Sequence, residues 1–363
     1  MFRWVVRYLL LATLLMLGVG VQAAVPKPAS VVFLNPGHAN EPFWVSYSEF
    51  MQEAARDLGM QLHIVYGARD TAKLLAAARK VLESSEPPDY LMFVNEQYVG
   101  PEILRLFAQS PIKVFAVHST LTAEQQALVG ASREQYRNWI GSLVPNDEEA
   151  GYLMASALIE SLGQRSGELL ALSGVRHTPS ASLRQQGLAR ALAEHPHVRL
   201  QQLVYGEWSR KRAYEQARAL LQRRPGTDLI WSANDEMAFG ALQAVTERGL
   251  VPGKDVHISG LNSSEQVLQA RIDGRISVLV AGHNSLGAWA LVMLYDYHAG
   301  YDFSQHGGKD QVAPVLQLID AAQARQLLKR LAIPGYGIDF RRYSVAYQPD
   351  MKHYDFNLHA LLE

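Results

Sequence analysis

From Val31 onward the chain alternates short β-rich runs with longer stretches whose apolar positions recur at helical spacing. Val31, Val32, Phe33 and Leu34 form the first run, and a polar turn bearing Pro36 and Gly37 follows. Tyr47, Phe50, Met51, Ala54, Ala55 and Leu58 then share one face of a predicted helix, with Gly59 where a C-terminal cap belongs. Leu62 to Tyr66 reads as strand again. Leu74, Leu75, Ala78, Val81 and Leu82 make a second helical face, Pro87 and Pro88 break it, and Tyr90 to Val94 and Ile112 to Val117 are buried-type strands.

After Ile140 the rhythm restarts. Helices are predicted at about Asp147 to Leu162, Ser180 to Glu194, Arg210 to Arg223 and Asp235 to Arg248, interleaved with strands at Leu169 to Ser173, Val198 to Tyr205, Leu229 to Ser232 and Val256 to Leu261. Strict alternation of this kind predicts an α/β fold with doubly wound parallel sheets. In such sheets ligands bind beyond the C-terminal strand ends, so chemistry is to be sought in the loops that follow strands.

Composition narrows the picture. The sequence has 363 residues and no cysteine, which excludes disulfides, thiolate nucleophiles, cysteine metal sites and a lipidated cysteine. Arg3 and Arg7 precede the uncharged run Tyr8 to Val21, and small residues around Ala23 offer a cleavage point. This predicts a signal peptide over 1–23 and a soluble periplasmic product. The remaining ~340 residues exceed one ordinary core, so two lobes are expected. Formal net charge is −1 with both signs interspersed, which leaves no electrostatic footprint for nucleic acid.

The loops carry the candidate chemistry. Asn40, Phe43 and Trp44 follow the first strand, where aromatic faces suit a sugar ring or simply pack the helix onto the sheet. Trp208 follows the strand ending at Tyr205, so aromatics from two lobes could sandwich one ring. Arg184 lies just inside a helix and offers either a planar fork to a ligand or a solvated side chain. Asn234 and Asn262 end strands and are equally helix caps. The twelve histidines show no metal-helix spacing, and His195 and His197 read as surface residues. No nucleophile elbow, phosphate-cradling loop or dinucleotide fingerprint occurs in the mature region, so neither an enzyme nor a cofactor or metal is expected.

Four segments together resemble the type I periplasmic binding proteins, in the ribose and galactose branch of sugar receptors, over roughly residues 31 to 318. They are Asn40 to Trp44, Ser182 to Leu188, Asn234 to Leu242 and Gly260 to Asn262. The resemblance implies two lobes joined by three crossovers, closing on a ligand and serving a membrane partner, usually an ABC transporter permease. It places Phe43 and Trp44 at stacking positions, Trp208 opposite them, and Arg184 and Asn234 at hydroxyl-binding positions. His118 and Asn262 stand where the branch carries aspartates, Ser119 replaces a usual Arg, and an expected Gln falls near Ala281, with His283 and Asn284 beside it. These departures predict a cleft less anionic than in sugar receptors, dominated by Arg184, His118 and amides, and suited to a sugar acid, a modified or phosphorylated sugar, or a furanose-derived signal.

The expected lobes are 24–141 plus 283–313 and 142–282 plus 314–363. A helix is predicted at Ala321 to Leu331, and the aromatic-rich tail beyond it is expected to pack on the C-terminal lobe. The function expected is capture of a small sugar-like ligand by a monomer that serves an ABC permease. Presentation of the closed form to a sensor kinase is the alternative, and a periplasmic hydrolase is a more distant one.

Overall fold

The computed structural model describes residues 27–362. The proposed signal peptide lies outside them.

The first lobe is built from β1 (Ser30–Asn35), α1 (Pro42–Asp57), β2 (Gln61–Tyr66), α2 (Thr71–Leu82), β3 (Tyr90–Phe93), α3 (Gly100–Phe107), β4 (Lys113–Val117), α4 (Ala123–Val129) and β5 (Trp139–Pro145). The chain then crosses to the second lobe. There it forms α5 (Asp147–Glu160), β6 (Gly167–Ser173), α6 (Pro179–Glu194), β7 (Val198–Tyr205), α7 (Arg210–Arg223), β8 (Leu229–Ser232), α8 (Asp235–Glu247), β9 (His257–Leu261), α9 (Glu265–Ile272) and β10 (Val278–Ala281). It returns as α10 (Leu286–His298) and β11 (Asp310–Ala313), and crosses again for β12 (Gln317–Ile319) and α11 (Ala321–Arg330).

Two six-stranded sheets result, in the orders β11-β5-β4-β3-β1-β2 and β12-β10-β9-β8-β6-β7. Every pairing is parallel except β10 with β12. The central strands are buried on both faces, as sheets covered by helices require. In α1 the same spacing that predicts the helix buries Tyr47, Phe50, Met51 and Ala54, and Pro42 starts it where a missing N–H costs nothing.

Two expectations about boundaries need correction. The first crossover falls at Asn146, because Trp139–Pro145 pairs with both β4 and β11 inside the first sheet. Asn146 also clasps the third crossover, donating to the Leu316 carbonyl at 3.0 Å and accepting from its N–H at 3.0 Å.

The tail beyond α11 packs on the N-terminal lobe. Tyr336 packs at a tilt against Phe50 of α1, and Phe340, Tyr343 and Phe356 surround Trp289 of α10. Buried Asp296 anchors it, accepting from Ser344 Oγ at 2.5 Å, Val345 N at 2.8 Å, Ala346 N at 3.0 Å and the Tyr354 hydroxyl at 2.9 Å. Leu358 then reaches the second crossover at Gly282, which itself lies against the Val315 carbonyl of the third.

Candidate functional site

The strand ends of the two sheets face each other across a closed cleft. Their backbone is unusual: Ala68 and Arg69 after β2, Gln97 and Tyr98 after β3, His118 after β4, Glu207 and Trp208 after β7, and Asn262 after β9 all have positive φ. Each such non-glycine residue costs on the order of 1–3 kcal/mol, and strain of this kind gathers where a loop must aim a side chain. At His118 (φ 66) the Ser119 N–H donates to the Val117 carbonyl, and the resulting tight turn points the imidazole inward.

Phe43, Trp44, His118 and His283 form one aromatic wall. Phe43 stacks on His283 with centroids 4.6 Å apart, His283 lies parallel to His118 at 5.6 Å, and Trp44 meets His118 edge-on at 5.3 Å. Trp44 lies on Gly37, where a Cβ would stand 2.0 Å from its ring. The second lobe repeats the device: Trp208 lies on Gly174, where a Cβ would stand 1.9 Å away. Glycine is needed at both places because an indole occupies the side-chain position.

Burial depresses both imidazoles, and the nearby Arg184 charge adds to the effect. His118 is brought to about 3, so it is neutral at physiological pH. The Nδ1 atoms of His118 and His283 are buried without a hydrogen-bond partner among the described residues. A neutral imidazole carries one donor and one acceptor, so both rings can serve ligand hydroxyls.

Arg184 is buried and aims inward. Its Nε donates to Asp147 at 2.7 Å and one terminal nitrogen to the Ala233 carbonyl at 2.7 Å, and the guanidinium lies 5.7 Å from the Trp208 ring centre. Burial raises the Asp147 carboxyl, and the Arg184 charge opposes the rise. Asn234 caps α8 by accepting from Met237 N at 2.9 Å, and it also lines the cavity. The Asn262 amide donates to Asp235 Oδ1 at 2.6 Å, which turns its own oxygen away from that carboxylate. Ser264 donates to Asp235 Oδ2 at 2.6 Å. The aspartate missing at 262 thus has a counterpart one layer back, at 235.

Eight of the nine candidate residues, namely Phe43, Trp44, His118, Arg184, Trp208, Asn234, Asn262 and His283, line one small cavity. Asn40 does not; it is exposed and sits on the outer rim beside Glu207 and Lys211.

The cavity also contains a charged group the sequence reading missed. Arg69 bridges Glu41 and Glu96, donating to Glu96 at 2.8 Å, and all three line the cavity. Burial alone would lower the Arg69 value, but Glu96 and Glu41 reverse this and raise it. Burial raises the Glu96 carboxyl, against the opposing Arg69 charge. Two lining carboxylates therefore balance two lining guanidiniums, which corrects the expectation of a cleft dominated by Arg184 and His118. Ser180 completes the lining and joins the lobes directly, its Oγ lying 3.0 Å from that of Ser119.

A roomier cavity of about 580 Å³ lies elsewhere, along β2 and α2 on the outer edge of the first sheet. We assign no function to it, because it draws on one lobe and gathers no comparable set of buried polar side chains. Among the described residues no group of three or more His, Cys, Asp or Glu could hold a metal ion.

Two sheets meeting at their strand ends around an aromatic and hydrogen-bonding cavity define a two-lobed receptor for a small ligand. Residues 31–302 match the model of the periplasmic binding protein domain, and the chain belongs to that family. It is similar to a periplasmic sugar-binding protein from Pseudomonas fluorescens of known crystal structure, at 53% identity and a TM-score of 0.86, covering 92% of this chain and 100% of that one. It is 24% identical over 298 residues to the D-allose-binding periplasmic protein of Escherichia coli, covering 79% of this chain and 89% of that protein. Identity to a ribose import binding protein of Bacillus subtilis is 24% over 255 residues, covering 70% of this chain and 77% of that protein.

Proposed function

We propose that this protein is a periplasmic receptor that encloses a neutral sugar between its lobes and delivers it, as a monomer, to the permease of an ABC transporter. The relatives are binding proteins for sugars, two of them named for D-allose and for ribose import, and none is an enzyme by name. One observation carries the choice of a neutral ligand: the lining guanidiniums of Arg69 and Arg184 already have carboxylate partners in Glu41, Glu96 and Asp147. An added ligand carboxylate or phosphate would have to displace one of them, leaving a buried charge unpaired. Sugar hydroxyls need only the free imidazole and amide atoms, with Phe43, Trp44 and Trp208 covering the ring.

Ligand contacts from both lobes stabilise the closed form in proportion to the differential affinity they create. Calorimetric titration with neutral sugars and the matching sugar acids tests the reading. A neutral sugar should bind at least tenfold tighter than its acid; preference for the acid would reject it. N-terminal sequencing of exported protein should begin at Ala24 if residues 1–23 are the export signal.

A second reading, presentation of the closed form to a sensor kinase, draws support from the tail. It adds a surface to the N-terminal lobe, and its Leu358 touches the second crossover at Gly282. Loss of signalling with intact uptake on deleting the gene would favour it.

A further inference from the structure

The cavity described above encloses only about 50 Å³, while ligand pockets commonly measure ~300–1,000 Å³. Past Phe43 and Asn262, which line both spaces, it adjoins a second interlobe pocket of about 370 Å³. We propose that this second pocket is a further subsite, and that the ligand is a neutral disaccharide or glycoside whose second hydroxylated unit lies there. The inference rests on the sugar-receptor reading above and extends it.

Both lobes build the pocket. The first contributes Ser46 on α1 and Asn284 in the second crossover, whose amide donates to Ser46 Oγ at 3.2 Å. The second contributes Ser263, Ser264 and Asn262. Ser263 supplies the strongest single indication. Its side chain is buried, with the residue 6% exposed, yet its hydroxyl has no hydrogen-bond partner among the described residues. An unpaired buried hydroxyl is a cost to the fold, so a protein gains by keeping one where something else supplies the partner. Apolar surface from Phe43, Val45 and Leu331 stands beside these polar groups. That mixture suits a ring with one apolar and one hydroxylated aspect. Glu49 and Glu265 at the exposed rim oppose an anionic substituent.

A third pocket, of about 430 Å³ on the side of Asn40, is the weaker candidate. Both of its arginines are already paired within the protein, Arg69 with Glu41 and Arg210 with Glu236.

The test uses calorimetry on the mature full-length chain with D-ribose, D-allose, D-galactose, their methyl glycosides, and disaccharides containing them. Two variants accompany the wild type. Ser263→Ala removes the unpaired hydroxyl and should leave the melting temperature unchanged or higher. Glu49→Trp fills the pocket from the exposed face of α1. A disaccharide or glycoside should bind at least tenfold tighter than its free monosaccharide. Each variant should erase most of that advantage while monosaccharide affinity stays within twofold. Equal loss for both ligand sizes, or no advantage for the larger ligand, overturns the subsite and leaves the sugar-receptor reading standing. Binding of no saccharide at all removes both.

Discussion

Replacing Asp235 by asparagine isolates the electrostatics behind Asn262. The Asp235 carboxyl is buried, and burial lifts it from 3.8 to about 6 even though Ser264 and Asn262 donate to it. A shift of about 2 units corresponds to ~3 kcal/mol of preference for the protonated form in the fold. Because the folded value lies above the unfolded one, this stabilisation is fully present below about pH 4 and is lost as pH rises through about 6. The substitution should preserve the geometry. The side-chain oxygen still accepts from Asn262 and Glu236 N, and the new amide nitrogen can donate to Ser264 Oγ, a hydroxyl able to accept. Urea unfolding of both proteins between pH 5 and pH 8 separates this group from every titration they share. Wild type should gain about 1 kcal/mol on the variant as pH falls from 7 to 5. Parallel curves would show that Asp235 does not titrate as its burial requires, and the reasoning would fail. Ligand affinity of the variant should stay close to wild type, since the Asn262 oxygen keeps its orientation.

The other predictions concern the aromatic wall, the imidazoles and the tail. Gly174→Ala places a methyl where Trp208 now lies, so ligand affinity should fall tenfold or more, ~1.4 kcal/mol, with little change in melting temperature; unchanged affinity would remove Trp208 from the site. His118 should stay neutral from pH 8 down to pH 5 by NMR of its ring, and its protonation should contribute no inflection to affinity in that window; a titration near 6.5 would contradict its burial. Asp296→Ala leaves the hydroxyls of Ser344 and Tyr354 and the N–H groups of Val345 and Ala346 without their acceptor, at a cost of ~3 kcal/mol or more. Limited proteolysis should then cut beyond α11 far faster than in wild type, and equal protection would refute the anchoring role.

Local pattern was enough for much of this protein. The spacing of Tyr47, Phe50, Met51 and Ala54 is a property of neighbouring residues, as is the Asn234 cap, so both are legible before any fold exists. Alternation of strands and helices forces parallel sheets, and parallel sheets put ligands at strand ends; Phe43, Trp208 and Asn262 could be picked out for that reason, while His118 was picked out only through the resemblance to the sugar receptors. The bridge of Arg69 with Glu41 and Glu96 could not. It exists because β2 and β3 flank β1, which brings three loops together that are far apart in sequence. Whether Arg184 meets solvent or the cavity likewise depends on Asp147, supplied by a different helix. The tail had two lobes on which to bury its aromatics, and its own pattern is compatible with either. Trp289 and the buried Asp296 carboxylate decided it, because a side chain's periodicity says that it must be buried, and only the assembled surface says against what.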